Sequence, residues 1–340
     1  MPKWLKDFCF IPSWLILVFF TILSLSGLKL NLNIQIFLVF LAGLIIGLPH
    51  GATDHFVPFE LWRRKIDNQN MIFLFAAYIG LFGVYCLLWF ISPIIETIGF
   101  ILITLIHWGQ TELYSLINFL KLPYLNSNFS KIIALVLRGS LPVFLPIIFH
   151  QSEAKSFFNS IGSLFKSNYS IQQNYFEKSI LVISIIIIIL TILHLSLSLF
   201  TTISQKLNPK LFFIDYGELL LMSIFFYFCP PLLAVGIYLF VWHSLRHIAR
   251  LLILEGKTDN INKSIFRFYK KALPTTLLAL VFLFCLYLWV PKTPQDFLSG
   301  FSLFFMFISA LTFPHTIIVF VMDWKQKVWS NPNQHKQALL

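Results

Sequence analysis

Long apolar runs alternate with short polar connections along almost the whole chain. The runs lie near 11–29, 34–55, 70–92, 94–118, 131–150, 179–203, 211–229, 231–254, 272–291 and 299–323. A helix rising about 1.5 Å per residue needs about 20 residues to cross a hydrocarbon core about 30 Å thick. The pattern therefore predicts an all-α polytopic transmembrane bundle of about ten spans. Ser92-Pro93 separates the third run from the fourth, and Pro230-Pro231 the seventh from the eighth. Proline ends a helix near the preceding residue. The longest connection, 151–178, contains Phe157, Phe158, Ile161 and Phe165 in an amphipathic stretch. Such a stretch suits the membrane surface or an ordinary loop. No repeat of fixed period appears, and no connection is long enough to fold alone. The chain reads as one integral membrane domain, 1–340. Residues 11–29 form a peripheral first span, 34–323 the core and 324–340 a cytoplasmic tail.

Composition agrees. Of 340 residues, 58% are hydrophobic and 11% are charged, against roughly 25% charged in soluble domains. The net charge of +11 does not point to nucleic acid, because the basic residues are spread through the connections. With a cytoplasmic N-terminus, one side holds only Lys29, Lys155, Lys166, Lys178 and Lys292. The other side holds 18 lysines and arginines, and Arg138 and Arg246 fall inside spans. This asymmetry predicts both termini on the cytoplasmic side of an inner (cytoplasmic) membrane. Lys3 and Lys6 before an apolar run resemble a signal peptide. No A-x-A site follows, so the run is read as a retained span. Cys9, Cys86, Cys229 and Cys285 form no C-x-x-C pair and read as small core residues.

Candidate chemistry sits in the spans. His50, His107, His243, His247 and His315 all fall on even-numbered runs. Counted along those helices, they share a layer about 18–24 Å from the outer edge. In "HSLRH" (243–247), positions i and i+4 lie on one helical face, so the two imidazoles can chelate one ion. Imidazole suits iron, copper, zinc and nickel. A helix-to-helix hydrogen-bonding role remains the alternative. Asp54 and Glu218 are candidates for carboxylates that orient a ligating histidine. Glu112 and Asp323 read at least as well as solvated interfacial groups. Gly47, Pro49 and Gly51 loosen the helix around His50, and Pro314 does so before His315. Irregular backbone at membrane depth is tolerated where it is buried or lines a cavity.

Four blocks carry a resemblance: "GLPHGATD" (47–54), "IHWGQTE" (106–112), "PPLLAVGIYLFVWHSLRH" (230–247) and "LTFPHTIIVFVMD" (311–323). In this order they resemble the Brp/Blh family of membrane β-carotene dioxygenases. The likeness is weakest in the first span and in 151–178. It implies cleavage of the central 15,15′ double bond of β-carotene by O2, giving two all-trans retinal for a microbial rhodopsin. It also implies Fe(II) held by four histidines, which fall on His50, His107, His243 and His247. Four imidazoles leave a six-coordinate ion two open positions. His315 matches a family histidine outside the four, in a supporting or structural role, and Glu218 matches a family glutamate. His55 lies outside the pattern and is read as interfacial. Central cleavage needs a tunnel that holds the middle of the polyene at the ion. The 39 phenylalanines suffice to line one, with Trp108 and Trp242 as candidate lining residues beside the ligands. Two rival readings differ in kind. A di-iron desaturase needs about eight histidines in several boxes, and only one H-x-x-x-H box is present. A metal or proton transporter would use the same intramembrane histidines and carboxylates.

Overall fold

The computed structural model describes residues 1–28, 30–163, 170–256, 258, 260–289 and 296–330. Lys29, Phe165, Lys166, Lys257, Lys292 and residues 331–340 of the expected tail lie outside them. Among the described residues every regular element is helical. In chain order the helices are α1 (Lys3–Leu25), α2 (Leu32–Leu61), α3 (Asn68–Ile91), α4 (Pro93–Tyr114) and α5 (Asn128–Phe149). They continue as α6 (Gln151–Ser163), α7 (Gln173–Ser204), α8 (Pro209–Phe228), α9 (Pro231–Leu254), α10 (Ile261–Trp289) and α11 (Asp296–Lys325). Among the described residues, nine helices are long and apolar enough to cross a membrane. The expected fourth span is formed too, as the 22-residue α4. Its second half carries His107, Gln110 and Glu112, all buried. The start of the 151–178 connection is the amphipathic helix α6, which turns Ile161 onto Tyr85, Trp89 and Ala310.

Polar residues start the helices where the sequence supplies them. The side chains of Asn31 and Asp67 each accept a bond of 2.9 Å from the backbone N–H three residues on. Ser127 and Ser130 form a reciprocal cap at the start of α5. Such caps satisfy amides that the helix leaves unpaired.

Burial separates centre from rim. In α9, 83% of the most apolar stretch is inside the protein, against 6% in α3. α9 packs on α2 through its first half, and α4 lies along α5. Glycines set the second contact. A Cβ on Gly139 would run into the backbone carbonyl of Leu105, and one on Gly109 into Leu135. Small residues let membrane helices approach closely, and here they fix the helix that carries His107. α11 packs on α3 and α4, and α10 on the segment Leu48–Ala52 of α2. α2, α4, α9 and α11 thus bring their histidines to one place.

Candidate metal centre

Two of these helices leave regular α geometry at their histidines. α2 makes a π-helical turn over Gly43–Gly47, returns to α over Leu48–Ala52, and breaks at Thr53 into a 3-10 turn, Asp54–Phe56. α9 has a π-helical turn over Tyr238–His243. The two turns face each other across one ring. A Cβ on Gly43 would lie 3.0 Å from Phe240 Cζ, and one on Gly47 would overlap the same ring. Glycine is required there by close approach. π turns open a helix locally and recur at functional sites. Ser244 uses the opened ladder: its Oγ donates to Leu239 O at 2.8 Å and lies 3.3 Å from His50 Nδ1.

The result is a cluster of five imidazoles. His243 and His247 share one helical face, with ring planes 9° apart and centroids 6.4 Å apart. The His107 ring lies 4.7 Å from that of His243 and 4.7 Å from that of His315. The His50 ring is 5.0 Å from His315, 5.6 Å from His247 and 5.7 Å from His243. His315 and His247 are 5.0 Å apart. His50 is partly buried and the other four are buried.

The ring nitrogens are spoken for very unevenly. His50 Nδ1 meets the carbonyl of Gly47. His315 Nδ1 is 2.7 Å from Asp54 Oδ2. Tyr78 donates to that same carboxylate oxygen at 3.3 Å and contacts Leu311 O at 3.2 Å. His107 Nδ1, both nitrogens of His243, both of His247, and His315 Nε2 have no hydrogen-bond partner among the described residues. An unsatisfied buried polar atom costs about 1–3 kcal/mol. Six of them converging from three helices make a poor hydrogen-bonded core. They lie on four rings, and a neutral imidazole carries one lone pair, so these rings offer four donors to a transition-metal cation, which imidazole suits. One nitrogen each of His50, His107 and His315 can be chosen within 4.8 Å of one another. Asp54, His247 and His315 offer a second such group.

Beside the histidines lies a buried ion network. Arg246 Nη2 donates to Glu218 Oε1 at 2.8 Å, and its Nε is 3.4 Å from Glu112 Oε1. Arg138 Nη1 is 3.4 Å from Glu218 and 3.6 Å from Glu112, and its Nη2 bonds Asp215. Asp215 also meets Tyr124 OH at 2.5 Å and His194 Nε2 at 3.0 Å. Arg250 pairs with Asp323 at 2.8 Å, and Gln110 donates to the other Asp323 oxygen at 2.9 Å. Glu112 and Asp323 are therefore not solvated interfacial groups. Each is 1% exposed, because an arginine from another helix neutralises it. Glu218 sits in this network rather than on a histidine, and α1 reaches it through Trp14 Nε1 at 2.8 Å. Trp242 donates to Glu112 at 2.9 Å, with the Arg246 guanidinium 3.8 Å over its ring. Trp108 packs at a tilt of 56° against Tyr238, with centroids 5.0 Å apart, and lies 6.1 Å from the His243 ring. His55 stays outside the cluster, against Phe56 and Phe75. Sequence reasoning missed Tyr124, His194 and Asp215. Arg138 and Arg246, stranded in apolar runs, were the available signal that buried anions must exist.

Known proteins resemble this chain along most of its length. A family model described as Beta-carotene 15,15'-dioxygenase matches residues 41–323. A Halobacterium salinarum protein named "Probable beta-carotene 15,15'-dioxygenase Blh" is 28% identical over 322 residues, covering 93% of this chain and 92% of that protein. The "Probable beta-carotene 15,15'-dioxygenase Brp" of Halobacterium salinarum is 24% identical over 66% of this chain and 61% of its own length. The "Beta-carotene 15,15'-dioxygenase" of uncultured marine bacterium 66A03 is 24% identical, covering 60% of this chain and 65% of that protein. No solved structure matches.

Proposed function

Because the chain belongs to the beta-carotene 15,15'-dioxygenase family, we propose that it cleaves the central 15,15′ double bond of β-carotene at an Fe(II) ion held by His50, His107, His243 and His247. The reaction is balanced by O2 alone. One C=C bond is broken, each carbon gains one oxygen atom, and two retinal molecules leave. No proton need be removed from the substrate. The observation that supports the reading best is the set of unpartnered buried ring nitrogens on His107, His243 and His247.

The ion, when bound, supplies the activation of O2. The protein supplies placement. Gly43 and Gly47 let α2 close on Phe240 so that His50 reaches the pair on α9. The bond from His50 Nδ1 to Gly47 O puts the ring proton on Nδ1 and leaves the lone pair on Nε2 for an ion. Trp108, packed against Tyr238 beside His243, is the candidate wall against the polyene. We read the basic asymmetry of the connections as that of a multi-pass protein of a cytoplasmic membrane, from which retinal would leave into the bilayer, within reach of a rhodopsin.

Expression in bacteria that make β-carotene provides the test. The wild-type chain should bleach the orange colour and leave retinal in the extract. Alanine at His50, His107, His243 or His247 should abolish retinal, whereas His55→Ala should keep it. Normal retinal yield from His243→Ala would end the ligand assignment.

A further inference from the structure

We infer that His315 is a direct ligand of the ion through Nε2, and that Asp54 is the residue that positions it. This rests on the metal-centre reading above and enlarges the ligand set from four histidines to five. The geometry of the cluster carries it. The His315 ring is 4.7 Å from His107 and 5.0 Å from both His50 and His247. His243, one of the four, stands 4.7 Å, 5.7 Å and 6.4 Å from the same three rings. His315 is thus at least as central as an assumed ligand. It also belongs to both groups of donor atoms that lie within 4.8 Å of one another.

The hydrogen bonding of His315 is that of a ligand. Asp54 Oδ2 accepts from Nδ1 at 2.7 Å, which places the ring proton on Nδ1 and leaves a lone pair on Nε2. That nitrogen is buried and has no partner among the described residues. Buried side-chain nitrogens that only join helices are, in the large majority, hydrogen-bonded. Ligating histidines commonly give their second N–H to a carboxylate. Tyr78 holds the same carboxylate oxygen from α3 at 3.3 Å, so the orientation of His315 is fixed by two other helices. Five imidazoles leave an octahedral ion one open position, where four leave two.

The purified full-length chain, stripped of metal and titrated with Co(II), separates the alternatives by absorption spectroscopy. Five- and six-coordinate Co(II) absorbs weakly, and four-coordinate Co(II) strongly. His315→Ala should weaken Co(II) binding at least about 10-fold and change the band shape, and added imidazole should restore both. His315→Gln, closer in volume, should show the same altered spectrum and covers the case in which the alanine variant does not fold. Asp54→Asn should keep the wild-type band shape while losing about 10–100-fold in affinity, the usual effect of removing a ligand's hydrogen-bond partner. Wild-type spectra and affinity in both His315 variants overturn the fifth ligand alone. Failure of the wild-type chain to take up Co(II) overturns the metal-centre reading and the fifth ligand with it.

Discussion

Arg246 is separated from His247 by one peptide bond, yet the two side chains serve different structures. Successive residues on an α-helix point about 100° apart. His243 and His247 therefore face the cluster while Arg246 turns to Glu218, Glu112 and the face of Trp242. Removing one partner of a buried ion pair costs about 3–5 kcal/mol, because the other charge is left uncompensated. Arg246→Met is accordingly expected to lower stability by that amount, read as a depressed melting temperature of the chain in detergent. Adding Glu218→Gln to it should recover part of the loss, since one stranded anion is removed. A single variant as stable as wild type would show that the network is slack. Sequence reading reached the residues on one side of this boundary better than those on the other. The i, i+4 spacing of "HSLRH" exposes a shared face because the information is local. The pairing of Arg250 with Asp323, 73 positions away, or of Arg138 with Glu112 is not local. Nothing in the run around Glu112 or Asp323 distinguishes a buried, neutralised carboxylate from one at the water interface.

At the scale of the helix, the decisive feature is that α2 and α9 are both unwound where Gly43 and Gly47 meet Phe240. The glycines and proline of "GLPHGATD" signal that α2 departs from regular geometry, and the structure bears this out with a π turn, a break and a 3-10 turn. The matching π turn of α9 has no such signal. Tyr238–His243 contains neither glycine nor proline, and it meets the π turn of α2 through Phe240. Gly47 is where the two helices lock, with no room for a Cβ beside Phe240. Gly47→Val should force the helices apart at a cost of about 1–3 kcal/mol, the usual range for overpacking. It should also weaken metal uptake, because His50 and His243 move with them. Gly80 on α3 is the control, since nothing lies within 4 Å of its added Cβ. Gly80→Ala should leave metal uptake unchanged and stabilise the chain by about 0.5–1 kcal/mol, through the helix preference of alanine over glycine. Equal damage from both variants would argue that the π contact has no special role.

Across the whole molecule, the chemistry and the charge lie in a definite order along the bundle. Lys271 of α10 joins Glu60 at the end of α2 and Glu255 after α9. Lys131 at the start of α5 donates to the carbonyls of Val328 and Ser330 beyond α11, at 2.9 and 2.8 Å. These contacts bring the basic connections to one face. The five helices that arrive there, α2, α4, α7, α9 and α11, are followed by residues of positive φ: Arg63, Lys121, Lys206, Gly256 and Lys327. Left-handed residues close helix C-termini, and cations are favoured beside the terminal carbonyls. At the opposite face, Ser24 contacts Cys229 and His150 contacts Phe226 O. The expected alternation of ten spans thus has a structural counterpart, whereas the assignment of the basic face to the cytoplasm rests on charge alone. Single cysteines placed in a chain whose Cys9, Cys86, Cys229 and Cys285 are replaced by serine provide the measurement. A membrane-impermeant maleimide should label Lys155→Cys in intact cells, and should label Arg64→Cys and Lys206→Cys only after the membrane is opened. The reverse pattern would invert the molecule and place the histidine layer, which lies on the Asp54 side of α2, nearest the outer surface. Labelling of all three in intact cells would break the alternation itself, because Arg64 and Lys155 could then no longer stand on opposite faces of one bundle.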